Sequence, residues 1–221
     1  HLLRHLRPAC YLDPSHRPPA PGCFHRGLQL SADLDSNLCH VHYLLPEGQL
    51  AETQAGASIE NRRENDMEIC TERCLIRRFE EPDIDDFMVY RNDMDWMKYQ
   101  GFKGLTKQEY EDALLGDHTF QDGVQLAVIH KKSGKLIGDV YLKQEGDSFW
   151  IGYSVCRTMA CQGYACEAAA AVISSLKDRG AACIKAGVEV GNTASIALLE
   201  KLNFCYAGID NDEMIYVLKL R

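Results

Sequence analysis

Two stretches of this 221-residue chain combine residue types that could bind an anion and move a proton. The first reads Ile151-Gly152-Tyr153-Ser154-Val155-Cys156, passes through Arg157–Ala160, and continues Cys161-Gln162-Gly163-Tyr164-Ala165-Cys166-Glu167-Ala168. A strand that enters a short loop with a glycine, which then opens a helix, presents successive backbone N–H groups at the positive end of the helix dipole. Such a turn suits an anion. Gly163 allows the backbone to approach a phosphate, and Ala165 is small enough not to block it. The GxGxxG fingerprint and the GxxxxGK[ST] phosphate loop are both missing, which disfavours nucleotide binding of those kinds.

The second stretch reads Asn192-Thr193-Ala194-Ser195-Ile196, then Leu199-Glu200-Lys201-Leu202-Asn203-Phe204. Asn192 or Thr193 caps a helix, and Ser195 puts a hydroxyl in its first turn. Glu167 and Glu189 are the candidate bases, although a carboxylate at a helix start or on a solvent-facing strand position also serves plain structural ends. Tyr153 and Trp150 read as core or pocket wall.

These residues need elements to hold them. Cys74–Phe79 is strand-like, and Pro82 opens a helix with Ile84, Phe87 and Met88 on one face. Thr106 caps a second helix, Lys107–Leu115, with Tyr110, Ala113 and Leu114 facing inward. Val124–His130 and Lys135–Leu142 form a hairpin around Lys131-Lys132-Ser133-Gly134. A third strand, Ser148–Cys156, follows the Gly146-Asp147 turn, and an Ala-rich helix runs from Gly163 to Arg179, stopping at Gly180. Ile184, Ala186, Val188 and Val190 alternate as a strand, a short helix reaches Leu202, and strands Phe204–Ile209 and Glu213–Leu220 close the chain around Asp210–Asp212. The order β-α-α-β-β-β-α-β-α-β-β describes a mixed α/β domain with one core.

Composition narrows the classes. Hydrophobic residues make up 46% and charged residues 25%, which fits a globular chain. No apolar run approaches the roughly 20 residues of a membrane-spanning helix, so no membrane is expected. A net charge of -8 argues against nucleic acid as a partner, since phosphate-backbone binding rests on clustered Lys and Arg. Ten cysteines occur without a CxxC pair. Cys156, Cys161, Cys166 and Cys183 lie in apolar or Ala-rich stretches, where free Cys behaves as a small hydrophobe. The Cys39-His40-Val41-His42 cluster has no distant partner pair, and reduced, cytoplasmic thiols are the better reading.

The chain divides near residue 66. Residues 1–66 hold six of the seven prolines, six of the eight histidines and no lysine, while all six methionines fall at or after Met67. That Pro/His-rich region shows no persistent helical or alternating pattern. Two expectations stand side by side: a segment that is not part of the natural protein, which would then begin at Met67, and a genuine disordered extension. Residues 67–221 form the folded domain in either case.

Taken together, the Gly163 loop and the Asn192–Phe204 stretch resemble the GNAT acetyltransferase family, in particular its branch of ribosomal-protein N-terminal acetyltransferases. "iGY", "GyatEa" and "NxxSxxlleKlGF" recur in that branch in this order. Thr71-Glu72-Arg73-Cys74-Leu75-Ile76-Arg77 and the run from Asn92-Asp93 to Tyr99 resemble its opening strand and first helical region. The resemblance covers roughly residues 70–221. It implies a mostly antiparallel sheet, splayed at a cofactor cleft and flanked by helices, with acetyl-CoA as co-substrate and no metal. The backbone of Ser154, Val155 and Cys156 would pair with the pantetheine arm. The N–H groups of Cys161, Gln162, Gly163, Tyr164 and Ala165 would hold the pyrophosphate. Asn192 would face the cofactor arm, and Ser195 would assist the leaving thiolate.

This chain departs from the pattern in several places. Ala160 stands where many members have Arg or Gln, and Arg157 where Pro is usual. Leu199 takes the place of a general-acid Tyr, and Trp150 that of a carboxylate base. The expected function is transfer of an acetyl group from acetyl-CoA to a primary amine, by a cytoplasmic monomer or homodimer. The rival expectations are a non-catalytic acyl-CoA-binding module and an interaction domain that binds no CoA.

Overall fold

The computed structural model describes residues 67–221; residues 1–66, and with them the Cys39–His42 cluster and both expectations for that segment, lie outside the described residues. Among the described residues, eight strands and four helices follow one another as β1 (Ile69–Cys70), β2 (Cys74–Arg78), α1 (Asp83–Arg91), α2 (Lys107–Leu114), β3 (Val124–His130), β4 (Lys135–Glu145), β5 (Ser148–Val155), α3 (Tyr164–Asp178), β6 (Cys183–Glu189), α4 (Thr193–Lys201), β7 (Cys205–Asp210) and β8 (Glu213–Lys219). All eight strands join one sheet in the order β1-β2-β3-β4-β5-β6-β8-β7. Every neighbouring pair is antiparallel except β5 and β6. A parallel pair needs a long crossover, and α3 supplies it.

The sheet is covered on both faces, and β3 shows why Leu126–Ile129 are all apolar. Leu126 and Val128 join one buried cluster with Ala168, Ala169, Val172 and Leu176 of α3. Ala127 and Ile129, pointing the opposite way, join another with Ile84, Phe87 and Tyr90 of α1 and Tyr110 and Leu114 of α2. Two half-cores, one per face, thus replace the one core read from the sequence. Phe87 meets Phe79, Tyr90 and Tyr110 edge-on, with ring centroids 4.9–5.4 Å apart.

Caps set the helix ends. Thr106 and Glu109 form a reciprocal capping box at α2, and the Asn192 side chain accepts the Ser195 N–H at α4. Several boundaries differ from expectation. β1 was too short to leave a periodic signal, and β4 runs on to Glu145 because Gln144 and Glu145 pair with Phe149 and Ser148 across the turn. Val190 is 61% exposed, beyond the last paired residue of β6, and Ala113 is only half-buried. Cys161 is exposed in a left-handed turn (φ 56°), not packed as a small hydrophobe.

Candidate functional site

β5 and β6 pair only through Ser148–Trp150 with Cys183–Lys185. Beyond that register β5 continues to Val155 and β6 to Glu189 without pairing each other, so the sheet opens into a cleft. β4 stays paired with β5 to the end, through Asp139–Ser154 and Gly138–Val155. A Cβ at position 138 would overlap the Ser154 carbonyl oxygen, so only glycine permits this approach. The Cys156 N–H donates to the Ile137 carbonyl at 2.8 Å. Strand alternation then turns the polar groups of Val155 away from β4 and into the cleft.

The chain leaves β5 through a single 3-10 turn at Arg157–Met159 and enters α3 at Gly163. Gly163 is left-handed (φ 84°) and forms no side-chain cap. Left-handed residues at 161 and 163, followed by the right-handed helix, turn successive N–H groups toward one concavity. The first-turn N–H groups of α3 have no intrahelical partner, and the helix dipole adds to their pull on an anion. The geometry at Cys161–Ala165 therefore suits an anion.

Glu167, one of the sequence candidates for a base, is a brace for this loop. It accepts hydrogen bonds from the Thr71 hydroxyl (2.6 Å), the Arg73 N–H (2.9 Å) and the Arg73 Nε (2.6 Å). Arg73 also donates to the Gln162 carbonyl at 3.0 Å and stacks 4.1 Å from the Tyr164 ring centroid. Partial burial opposes the Glu167 charge, but the hydrogen bonds from Thr71 and Arg73 outweigh it and hold the carboxyl below its ordinary value.

On the far side of the cleft stands the start of α4. Ser195 is half-buried in its first turn, with its N–H on Asn192 Oδ1 at 3.3 Å. Tyr153 reaches across from β5 and donates to the Ser195 carbonyl at 3.3 Å. Burial pushes the Tyr153 phenol up, so it stays protonated and positions α4. Leu199 is 0% exposed and belongs to the core. Glu189 is exposed at the end of β6, directly across from Glu213 of β8. Of these two carboxylates it is Glu213 that lines the pocket within the cleft.

That pocket has Tyr99, Gln100, Gly101 and Phe102 on one wall, Tyr141, Trp150 and Tyr153 on the sheet side, and Gln125, Arg91 and Asp139 in its lining. Asp139 is 0% exposed and accepts from four donors: Tyr90 (2.5 Å), Arg91 (2.8 Å), Gln125 and the Ser154 hydroxyl. Burial opposes the Arg91 charge, yet Asp139 beside it, with Tyr90 and Tyr110, raises its pKa. This polar cluster escaped sequence reading. Its one visible signal is a lone aspartate in the apolar run Leu136–Leu142.

The fold and cleft define an acyl-CoA N-acyltransferase architecture. The sequence model described as acetyltransferase (GNAT) domain matches residues 73–205, more than half of the chain, and the chain belongs to the GNAT acetyltransferase family. It is similar to the crystal structure of a GNAT-family acetyltransferase from Bacillus anthracis, at 25% identity and a TM-score of 0.61, covering 70% of this chain and 99% of that one. A ribosomal-protein-S5-alanine acetyltransferase from Vibrio fischeri shares the fold at 18% identity and a TM-score of 0.59, covering 70% and 97%. A ribosomal L7/L12 α-N-protein acetyltransferase in complex with coenzyme A does so at 14% identity and a TM-score of 0.60, covering 69% and 98%. Comparison with curated proteins found no sequence match. Among the described residues no helix is long and apolar enough to cross a membrane.

Proposed function

We propose that this chain moves an acetyl group from acetyl-CoA directly to a primary amine, either a protein N-terminus or a small amine. The divergence of β5 from β6 beyond Trp150 and Lys185 is the observation that carries it, because it leaves the end of β5 without a strand partner on that side, beside a turn suited to an anion. The N–H groups of Cys161, Gln162, Gly163, Tyr164 and Ala165 would hold the pyrophosphate, and the backbone of Ser154, Val155 and Cys156, with Asn192 opposite, would hold the pantetheine arm. Bound there, acetyl-CoA supplies an activated thioester.

The acceptor would enter by the pocket walled by Tyr99, Phe102 and Trp150. The nitrogen lone pair of the neutral amine forms the new C–N bond, the C–S bond breaks, and the amine's proton leaves. Backbone donors at the strand end stabilise the oxyanion, an effect worth about 10²–10³ in rate for one donor. Ser195 would assist the departing thiolate. Glu189 and Glu213, opposed across β6 and β8, would draw the cationic amine and take its proton through water. An α-amino group, with a pKa of about 8, reaches the neutral form more cheaply than a lysine near 10.4, and this favours an N-terminus. Nucleic acid and membrane are not expected partners. The same proposal has residues 67–221 as the catalytic unit of a cytoplasmic monomer or homodimer.

A second reading, a non-catalytic acyl-CoA-binding module, is favoured by one observation: Leu199, at the position of the family's general acid, is sealed in the core. Thiol release from acetyl-CoA with a panel of N-terminal peptides, polyamines and aminoglycosides separates the two. Turnover with any of them supports the enzyme; saturable acetyl-CoA binding without turnover on any supports the module.

A further inference from the structure

The segment between α1 and α2, residues 92–106, crosses the mouth of the cleft. Trp96 donates its indole N–H to the Val155 carbonyl at 2.7 Å, and Tyr99 donates its hydroxyl to the Gly191 carbonyl at 2.7 Å. One strap is thus tied both to the end of β5 and to the turn that follows β6. Asp93 at its start pairs with Arg157 at 2.8 Å, and the Arg157 guanidinium lies 5.5 Å from the Trp96 ring centroid.

The Val155 carbonyl belongs to the edge that β6 has left. A ligand pairing with that edge like an added strand runs about 4.7–4.9 Å from β5, and its donors approach the carbonyl to about 2.9 Å. An indole nitrogen at 2.7 Å stands in the same lane. Trp96 itself is 37% exposed, with the Arg157 guanidinium over its ring, so the indole borders solvent on its outer side.

We propose that Trp96 is an internal competitor for the cofactor edge: acetyl-CoA gains the Val155 carbonyl only by displacing the indole. This rests on the cofactor placement proposed above. Tyr99, Gln100, Gly101 and Phe102 of the same strap wall the acceptor pocket. Displacing Trp96 therefore moves that wall, and the two substrates' affinities become coupled, each changing the other by the same factor.

Trp96→Phe keeps an apolar ring and deletes the donor. In calorimetric titration of the full chain with acetyl-CoA, the variant binds about 2- to 10-fold more tightly than the parent, the range of one net hydrogen bond. Equal or weaker binding, with the parent still binding, overturns the competition and leaves the cofactor placement standing. Absence of binding in both overturns the placement and the inference with it. A second measurement needs no substitution in the observed protein. The chain has two tryptophans, so its two indole N–H resonances in a ¹⁵N spectrum are separable, Trp96 being the one lost in the variant. Saturating acetyl-CoA shifts the Trp96 resonance and speeds its exchange with water. A Trp96 indole unchanged at saturation overturns the proposal.

Discussion

Arg91 and Asp139 face each other at 2.8 Å in the lining of the cleft pocket, with side chains only 3% and 1% exposed. Asp139 also holds the Ser154 hydroxyl, so the pair ties α1 to the strand whose end borders the cleft. Breaking such a pair from one side leaves a buried charge without its partner. Asp139→Ala is expected to cost about 3–5 kcal/mol, read by urea denaturation of the full chain. A loss near zero would show that Arg91 finds another counter-charge.

The brace at Glu167 makes acid stability testable. Its carboxyl titrates below its ordinary value in the folded protein, as do those of Glu109, bonded by Thr106, and Asp122, bonded by Thr119. A depressed folded pKa contributes stability above the unfolded value, about 4.3 for Glu and 3.9 for Asp, and loses it as pH falls through the folded one. Thermal midpoints should be flat near neutrality and fall below about pH 4.3. Glu167→Gln should lower the neutral midpoint and flatten the acid limb, and an unchanged acid limb in that variant contradicts the brace.

Gly163 carries two expectations at once. An alanine there meets Arg73 only at ordinary contact distance, 3.5 Å, so its cost comes from the left-handed backbone, about 1–2 kcal/mol. Gly163→Trp, in contrast, fills the concavity where the pyrophosphate would lie. Calorimetry should show acetyl-CoA affinity largely kept in the alanine variant and lost in the tryptophan one. Full binding by Gly163→Trp would move the cofactor elsewhere.

Ser195 separates catalysis from binding. Its backbone groups already serve Asn192 and Tyr153, and Ser195→Ala leaves both intact. If its hydroxyl assists the thiolate, kcat falls by about 10²-fold or more while the KM for acetyl-CoA stays. An unchanged kcat reduces Ser195 to a first-turn residue of α4.

Much of the fold was legible because local chemistry and tertiary packing agree along this chain. Thr106 with Glu109, Gly134, Gly163, Gly180 and Asn192 each sit where cap or turn rules put them, and Asn203 takes the left-handed conformation that asparagine tolerates (φ 65°). The Gly163 loop stood out for the same reason. Long-range relations were not legible. Asp139 gathers Tyr90 and Arg91 from 48–49 positions away, and no spacing rule reaches so far. Glu167 looked like a base because its partners, Thr71 and Arg73, lie 94–96 positions upstream. Trp96 and Tyr99 sit in a stretch without periodicity, and only the folded sheet brings them to Val155 and Gly191.

The splay between β5 and β6, with the Gly163 turn at its end, is the proposed acetyl-CoA site. Thermal unfolding of the full chain with and without millimolar acetyl-CoA tests it most directly, since a ligand that binds only the native state must stabilise it. At about 100 times its Kd the gain is about 2.7 kcal/mol, which raises the midpoint by about 5–10 °C in a domain of this size. A midpoint that does not move at that concentration contradicts the cofactor site and leaves a GNAT fold without its co-substrate.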